Sequence, residues 1–210
     1  MSMPFITVEG PIGVGKTSLS KAIAQHYHYH LLKEIVEENP FLGKFYENID
    51  EWSFQTEMFF LCNRYKQLSD IKQHFFTNQS AVVADYHIFK NLIFAKRTLK
   101  SSEYDKYEAI YNILTADMPV PNMVIYLHAS IDTLMNRIAK RGRDVEKMIS
   151  RDYIEQLAND YHAFIGHFEK MHPEIPVIQL NGDEFDFVER EEDLQAILQL
   201  VEQKLIKRSI

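Results

Sequence analysis

The sequence predicts an α/β fold in which a five-stranded parallel sheet is covered by helices on both faces. Two observations predict it: short apolar runs alternate with helical periodicity, and a glycine-rich loop joins the first apolar run to the first helix. Short strands that are apolar throughout are typical of parallel sheets, since both faces of such sheets are buried. Ligands of these folds bind at the carboxyl ends of the strands. We therefore expect functional residues just after each strand.

The predicted elements follow one another without a linker, repeat or low-complexity tract, so residues 1–210 are expected to form one domain. Strands are predicted over residues 5–9, 31–36, 81–84, 123–127 and 176–180. Helices are predicted over residues 16–25, 51–73, 131–141, about 154–168 and 194–205. In the 51–73 helix one apolar stripe is expected to carry Phe54, Met58, Leu61, Cys62, Tyr65 and Leu68.

The composition indicates a globular cytoplasmic protein, with 46% hydrophobic and 25% charged residues. We expect no membrane contact, because no apolar run approaches the roughly 20 residues of a spanning helix and no signal sequence is recognisable. The net charge of −7 opposes the basic surface of a nucleic-acid binder. The single cysteine, Cys62, excludes an internal disulfide, and its apolar neighbours predict a buried thiol.

The loop after the first strand carries the strongest motif. Residues 10–17 fit G-x-x-x-x-G-K-[ST], between a predicted strand and a predicted helix. Gly10, Gly13 and Gly15 permit a tight loop whose N–H groups point inward, and the helix N-terminus adds positive potential for phosphate. Lys16 is expected to reach the β- and γ-phosphates, and Thr17 to bind Mg²⁺. The motif predicts a nucleotide site. A GTPase is disfavoured, because the guanine-reading N-K-x-D motif is absent.

Cations are concentrated after the fourth predicted strand. Arg137 and Arg141 share a helix face, and Arg143 follows Gly142. Phosphoryl transfer needs positive charge around the oxygens of the moving group, and the arginine fork binds phosphate in two places. These residues predict a lid over residues of about 137–150 that closes on a phosphate donor. Together with the loop, the lid predicts a P-loop kinase fold.

The sequence resembles the deoxynucleoside kinase family, and within it the Gram-positive bacterial deoxyguanosine kinase branch. The resemblance covers nearly the whole chain. It is carried by Glu9-Gly-Pro-Ile-Gly-Val-Gly-Lys-Thr17, Val36-Glu-Glu-Asn-Pro-Phe-Leu42, Trp52-Ser-Phe-Gln-Thr-Glu57, Asn63-Arg-Tyr-Lys-Gln67, Asp85-Tyr-His-Ile-Phe89 and the Arg137, Arg141, Gly142 and Arg143 cluster.

The resemblance implies a catalytic carboxylate just after the second strand, which we assign to Glu37, with Glu38 as the neighbour that could be confused with it. It implies that Tyr46 and Glu146 hold the sugar 3′-hydroxyl, as a donor and an acceptor can. It implies that Asp85 binds Mg²⁺. Family members place an arginine after this acidic residue. Here Tyr86 stands instead, and whether Lys90 supplies the missing charge stays open.

Glu57 lies where relatives carry a base-reading glutamine, and it is two helical turns from Arg64. A carboxylate only accepts and a guanidinium only donates. The pair therefore matches guanine, which has donors at N1 and the 2-amino group and acceptors at O6 and N7. Phe94 is expected to stack on the base and Asn91 to bond its edge. Deoxyinosine, which keeps the N1 donor, is a plausible second substrate.

The sequence thus predicts an enzyme that uses ATP and Mg²⁺ to phosphorylate the 5′-hydroxyl of a deoxynucleoside, most favourably deoxyguanosine. Lys16, Glu37 and the three arginines are the predicted catalytic residues. A homodimer is expected from the resemblance, with aromatic-rich stretches such as 104–111 as candidate contacts. Deoxyadenosine or deoxycytidine kinase activity, a nucleoside monophosphate kinase and a catalytically silent nucleotide-binding protein remain alternatives.

Overall fold

The computed structural model describes residues 3–36 and 38–207, and its centre is one parallel sheet of five strands. The strands are β1 (Phe5–Glu9), β2 (His30–Leu32), β3 (Val82–Ala84), β4 (Met123–His128) and β5 (Val177–Asn181). Their order is β2-β3-β1-β4-β5, and every neighbouring pair is parallel. The predicted fold class is confirmed. The order places β1 at the centre, so its carboxyl end lies between those of β3 and β4.

The helices are α1 (Lys16–Tyr27), α2 (Leu42–Glu47), α3 (Ile49–Asp70), α4 (Lys90–Thr98), α5 (Ser101–Thr115), α6 (Ile131–Arg141), α7 (Arg151–Met171) and α8 (Glu191–Lys207). Two apolar clusters hold them to the sheet. One joins β1 and β4 to α1, α6, α7 and α8, and the other joins β3 to α3, α4 and α5. Among the described residues, no helix is both long enough and apolar enough to cross a bilayer.

The second strand is shorter than predicted, and this difference reshapes the site. β2 ends at Leu32, whereas the apolar pattern predicted a strand to residue 36. The N–H of Glu34 donates to Oδ1 of Asp85 at 2.7 Å, so a side chain after β3 replaces a strand partner there. Residues 33–36 therefore leave the sheet and turn along its carboxyl edge.

Three helices were not predicted: α2, α4 and α5. In α5 only Tyr107 and Tyr111 are buried, so the segment lacks the wide apolar stripe that identifies a helix in sequence.

The helix that was predicted over residues 51–73 ends at Asp70, and the chain continues as a π-helical turn, Ile71–Phe76.

Most of the predicted apolar stripe of α3 is confirmed, since Leu61 and Leu68 are buried and Phe54, Met58 and Tyr65 pack against the same cluster. Cys62 is exposed, so the prediction of a buried thiol was wrong. Polar side chains of α3 are buried as well: Ser53, Thr56, Glu57 and Arg64. Apolar periodicity alone does not predict their burial, because Thr56, Glu57 and Arg64 line a cavity rather than an apolar core.

Candidate active site

A cavity of about 570 Å³ opens at the carboxyl ends of β1, β2 and β3. Among the described residues, the predicted site residues that line it are Gly13, Gly15, Lys16, Thr17, Tyr46, Glu57, Arg64, Asp85, Phe94, Arg137, Arg141, Arg143 and Glu146. Gly10 and Asn91 lie outside this lining. Residues distant in sequence thus meet at the edge that the fold class predicted.

The glycine-rich loop follows β1 and forms one end of the cavity. Gly10, Gly13 and Gly15 have φ of 147°, 85° and 105°, which residues with a Cβ rarely adopt. A Cβ on Gly10 would lie 2.2 Å from the carbonyl oxygen of Leu127. The loop conformation therefore requires glycine at this position both for its backbone angles and for its close approach to β4.

Lys16 lies folded against this loop. Its ammonium donates to the carbonyl oxygens of Gly10 at 2.7 Å and Pro11 at 2.9 Å. Burial and the nearby Lys90 ammonium lower the pKa of Lys16 to about 7. An anion bound in the loop would supply the opposite charge that Lys16 lacks, and would restore its protonated form.

Arg137 braces the same loop from α6. Its guanidinium donates to the carbonyl oxygens of Val14 at 3.2 Å and Gly182 at 2.9 Å. Both are main-chain contacts, and they tie the loop after β1 to the turn after β5. The side chain still lines the cavity, so it is positioned both to hold the loop and to face an anion there.

Glu34 is the carboxylate at the centre of the cavity, and sequence reasoning missed it. The Lys90 ammonium lies 2.8 Å from each of its oxygens, and the Arg64 guanidinium also donates to Oε1. Its side chain is 12% exposed. Although burial acts to raise it, the charges of Lys90 and Arg64 hold the pKa of Glu34 well below its usual range. A carboxylate that stays ionised and faces an open cavity is suited to accept hydrogen bonds from a ligand.

The acidic residue that the sequence favoured, Glu37, lies outside the described residues, and Glu38 is exposed. The signal for Glu34 was available, since it is the first carboxylate after β2. It was hidden because the strand was predicted to run through it, which made Glu37 seem the first acidic residue beyond the strand.

Thr17 and Asp85 meet beside Glu34. The Thr17 hydroxyl donates to Oδ2 of Asp85 at 2.7 Å. Burial, with the neighbouring Glu34 charge, raises the pKa of Asp85. Their hydroxyl and carboxylate oxygens are ligands that Mg²⁺ prefers. No group of three or more His, Cys, Asp or Glu side chains gathers as a metal site in the parts of the chain that are described. The pair therefore fits an ion that takes most of its ligands from phosphate and water.

Tyr86 follows Asp85 and carries no charge into the cavity. It is fully buried, its hydroxyl donates to Gln67 at 2.6 Å, and the Arg64 guanidinium lies 5.4 Å from its ring centroid. The cations that contact Glu34 come from α3 and α4 instead, as Arg64 and Lys90.

The far end of the cavity is framed by Glu57 and Arg64. Glu57 is 2% exposed, Oε1 lies 3.5 Å from the Thr98 hydroxyl, and Oε2 has no hydrogen-bond partner. Arg64 donates to Asn91 at 2.7 Å and to Glu34, and its Nε has no partner. The aromatic rings of Phe60 and Phe94 line the same end. The result is an aromatic slot with one free acceptor and one free donor.

Asn91 lies behind this slot. Its side-chain oxygen accepts from Arg64, and its amide nitrogen donates to the Tyr107 hydroxyl at 2.6 Å. It is fully buried. The structure therefore places Asn91 as a support that orients the Arg64 guanidinium, rather than on the cavity wall.

Tyr46 and Glu146 lie near each other on the side of the cavity next to α6. Burial, followed by the charges of Glu146 and Glu57, raises the pKa of Tyr46. Glu146 is 6% exposed, and both of its oxygens accept from Nη2 of Arg141 at 2.6 Å. Arg143 lies 3.4 Å from Glu146. Two of the predicted phosphate-binding arginines are thus held by a carboxylate.

The glycine-rich loop at the central strand, the five-stranded parallel sheet and the cationic cavity define a P-loop kinase. The family model described as deoxynucleoside kinase matches residues 6–207. The chain belongs to the deoxynucleoside kinase family.

Curated relatives and solved structures agree. The chain is 50% identical to the deoxyguanosine kinase of Bacillus subtilis (strain 168) over 203 residues, 97% of this chain and 98% of that protein. It is 31% identical to the deoxyadenosine/deoxycytidine kinase of the same organism, over 92% of this chain and 89% of that protein. A structure of deoxyadenosine kinase from M. mycoides with bound dCTP has a TM-score of 0.79 and 25% identity, and the match covers 95% of this chain and 99% of that one.

Proposed function

We propose that this deoxynucleoside kinase transfers the γ-phosphate of ATP to the 5′-hydroxyl of deoxyguanosine, giving dGMP, in the salvage of purine deoxynucleosides. The observation that carries the choice of base is the free, buried Oε2 of Glu57 at the end of the cavity. The 50% identity to a deoxyguanosine kinase supports it.

Guanine satisfies the unpaired groups of the slot. Its N1–H and 2-amino group donate to the Glu57 carboxylate, and its O6 and N7 accept from the Arg64 side, where Nε lacks a partner. Adenine in the same pose would turn its N1 lone pair towards the ionised Glu57 carboxylate. Both of these groups are acceptors, so both would stay unpaired. Leaving buried polar groups unpaired is the strongest basis of discrimination that a rigid pocket offers.

The aromatic and sugar contacts follow from this pose. Phe94, with Phe60 on the same wall, stacks on the base. Tyr46 donates to the 3′-hydroxyl and Glu146 accepts from it. Because Glu146 also binds Arg141 and Arg143, the sugar contact is coupled to the residues of the lid, about 137–150. Binding of a nucleoside would then compete for Glu146 and release arginine donors towards the phosphates.

Glu34 serves as the general base, replacing Glu37 in that role. It accepts the proton of the 5′-hydroxyl as that oxygen bonds to the γ-phosphorus, and the bond from the γ-phosphorus to the ADP oxygen breaks. A carboxylate is a far weaker base than an alkoxide, so the proton moves late, consistent with a loose transition state. Lys90 and Arg64 keep Glu34 ionised and fix its orientation until then.

The phosphate end stabilises the charge that the transfer develops. Gly13 and Gly15 lie in the loop that surrounds the β- and γ-phosphates, with Gly10 shaping its entry, and Lys16 turns from the loop carbonyls to those phosphates. Arg141 and Arg143 close over the donor, while Arg137 holds the loop and faces the phosphates.

Thr17 and Asp85 would hold Mg²⁺ between the loop and Glu34. The ion would neutralise negative charge on the β- and γ-phosphates. The two side chains already hydrogen-bond to each other, so they lie together on one side of the cavity without further rearrangement of the backbone. The main-chain N–H of Glu34 donates to Oδ1 of Asp85, so one carboxylate supports both the metal side and the base side of the centre.

A cytoplasmic homodimer fits the outer surface of the helices. α3 and α5 pack side by side, and they expose Cys62 and Ile113, the latter by 77%. A second copy that covers Ile113 would remove an apolar side chain from water. No nucleic acid is expected as a partner, given the net charge of −7.

The proposal is tested by measuring kcat/KM for deoxyguanosine, deoxyadenosine, deoxycytidine and thymidine with ATP and Mg²⁺. At pH 8.5, we expect deoxyguanosine to exceed each of the others by at least about tenfold. A preference for another nucleoside would keep the kinase and overturn the assignment of the base. Phosphorylation of dTMP, with none of the four nucleosides used, would make the protein a nucleoside monophosphate kinase.

A further inference from the structure

Glu57 is a buried acid that has no cation bound to it. Its Oε1 has only the Thr98 hydroxyl at 3.5 Å, and its Oε2 has no partner. Arg64, the nearest candidate on the same helix, directs Nη1 to Asn91 and Nη2 to Glu34. A carboxylate that is removed from water without an ion pair is more stable as the neutral acid.

The charged and titratable groups that the structure describes around Glu57 give its carboxylate no ion pair. On α3, Arg64 has its charge balanced by Glu34, and Lys90 of α4 is likewise bound to Glu34. Tyr46 of α2, Tyr107 of α5 and Tyr153 of α7 are the titratable groups that face it from the other helices, and each is an uncharged phenol whose pKa is raised by burial. Glu34 adds a negative charge nearby. Among the described residues, the cations nearest to Glu57, Arg64 and Lys90, are therefore already bound to Glu34.

We infer that, below neutral pH, Glu57 is a neutral carboxylic acid before a nucleoside binds, and that its protonation state selects the base. The ionised form accepts from guanine N1–H and the 2-amino group. The neutral form keeps one O–H and donates it to the N1 lone pair of adenine. This inference rests on the proposed function, and it adds that the preference for deoxyguanosine is conditional on pH.

The two nucleosides differ in what their binding does to the Glu57 proton. When deoxyguanosine binds below the pKa of Glu57, the acid loses its proton to the buffer, so one proton is released per nucleoside bound. When deoxyadenosine binds, the acid keeps its proton and none is released. Burial raises the pKa of Glu57 to about 7, against the attraction of Arg64 and Lys90. The change of preference should therefore fall between pH 6 and 8, inside the range in which the enzyme can be assayed.

The first test is the ratio of kcat/KM for deoxyguanosine to that for deoxyadenosine, measured from pH 5.5 to 8.5. Both nucleosides use the same Glu34, Lys16 and lid, so ionisation of those groups cancels in the ratio. We expect the ratio to rise by at least about tenfold over this pH range. The ionised fraction of Glu57, which binds guanine, rises with pH, while the neutral fraction, which binds adenine, falls. The Glu57→Gln variant cannot ionise there, and its ratio should stay constant with pH.

The second test uses the wild-type protein alone, so it does not depend on the folding of a variant. Calorimetric titration with deoxyguanosine at pH 6, in two buffers of different ionisation enthalpy, should give release of about one proton, and deoxyadenosine should give none. A ratio that is flat with pH, or no proton release with deoxyguanosine, would overturn this inference while deoxyguanosine phosphorylation still stood. Absence of deoxyguanosine phosphorylation at every pH would overturn the proposed function and this inference with it.

Discussion

The Glu34→Gln variant is expected to lose about three orders of magnitude in kcat, with the KM for ATP changed only slightly. Glutamine keeps the size and one acceptor of Glu34, but it cannot take the proton of the 5′-hydroxyl. The loss should therefore fall on the chemical step rather than on binding of the donor. Steady-state kinetics at saturating deoxyguanosine, with nucleotide affinity measured separately by calorimetry, would separate the two.

Two neighbouring acids provide the comparison for Glu34. Glu38→Gln is the matched control, because Glu38 is exposed and near in the chain, and its kcat should stay within about twofold of wild type. Glu37→Gln tests the residue that the sequence favoured. If Glu37→Gln lost the activity and Glu34→Gln kept it, the general base would be Glu37, and Glu34 would be a structural anion between two cations.

The Lys90→Met variant is expected to lose about a hundredfold in kcat. Methionine fills much of the space of the lysine side chain, but it removes the ammonium that lies 2.8 Å from both Glu34 oxygens. Glu34 keeps Arg64 as a partner, so it would remain a buried carboxylate with one cation and a less fixed orientation. The KM for deoxyguanosine should change much less than kcat, since Lys90 does not lie between the base and its slot.

Two control variants accompany Lys90→Met: a second substitution of Lys90 and a substitution of another lysine in α4. Lys90→Arg keeps the charge and should recover at least about a third of the lost activity on a logarithmic scale. Lys96→Met removes an exposed lysine from α4 and should leave kcat unchanged. A Lys90→Met enzyme with wild-type kcat would show that Arg64 alone suffices to hold Glu34, and Lys90 would have no role in the transfer.

Much of the fold could be predicted from sequence, because short stretches of neighbouring residues determine its strands and its first turn. Five short apolar runs fix a parallel sheet, and the glycine pattern before Lys16 fixes the turn after β1. The helices α4 and α5 were missed, because many of the residues that they bury are polar or aromatic: Lys90, Asn91 and Thr98 in α4, and Tyr107 and Tyr111 in α5. Such residues are buried by contacts with other helices, and hydropathy patterns do not detect these contacts.

The site residues that belong to a sequence motif could be predicted, whereas those that only the folding of the chain brings together could not. Thr17 and Asp85 were paired from two motifs 68 residues apart, and they lie in contact. Glu34 was missed, because the second strand was predicted to run through it, and only the folded chain brings Arg64 of α3 and Lys90 of α4 to its carboxylate. Asn91 was expected at the base, but Tyr107 and Arg64 take up its amide. Its position behind Arg64 follows from the packing of α5, which no local pattern encodes.

The most direct test of the account compares two deoxynucleosides that divide the guanine edge between them. Deoxyinosine keeps N1–H and O6 and lacks the 2-amino group, whereas 2-aminopurine deoxyriboside keeps the 2-amino group and has a lone pair at N1. At pH 8.5, where most of Glu57 is ionised and can only accept, kcat/KM for deoxyinosine should lie within about tenfold of that for deoxyguanosine, and that for the 2-aminopurine nucleoside about thirtyfold below it. Equal use of the two analogues would contradict the assignment of Glu57 as the residue that reads guanine.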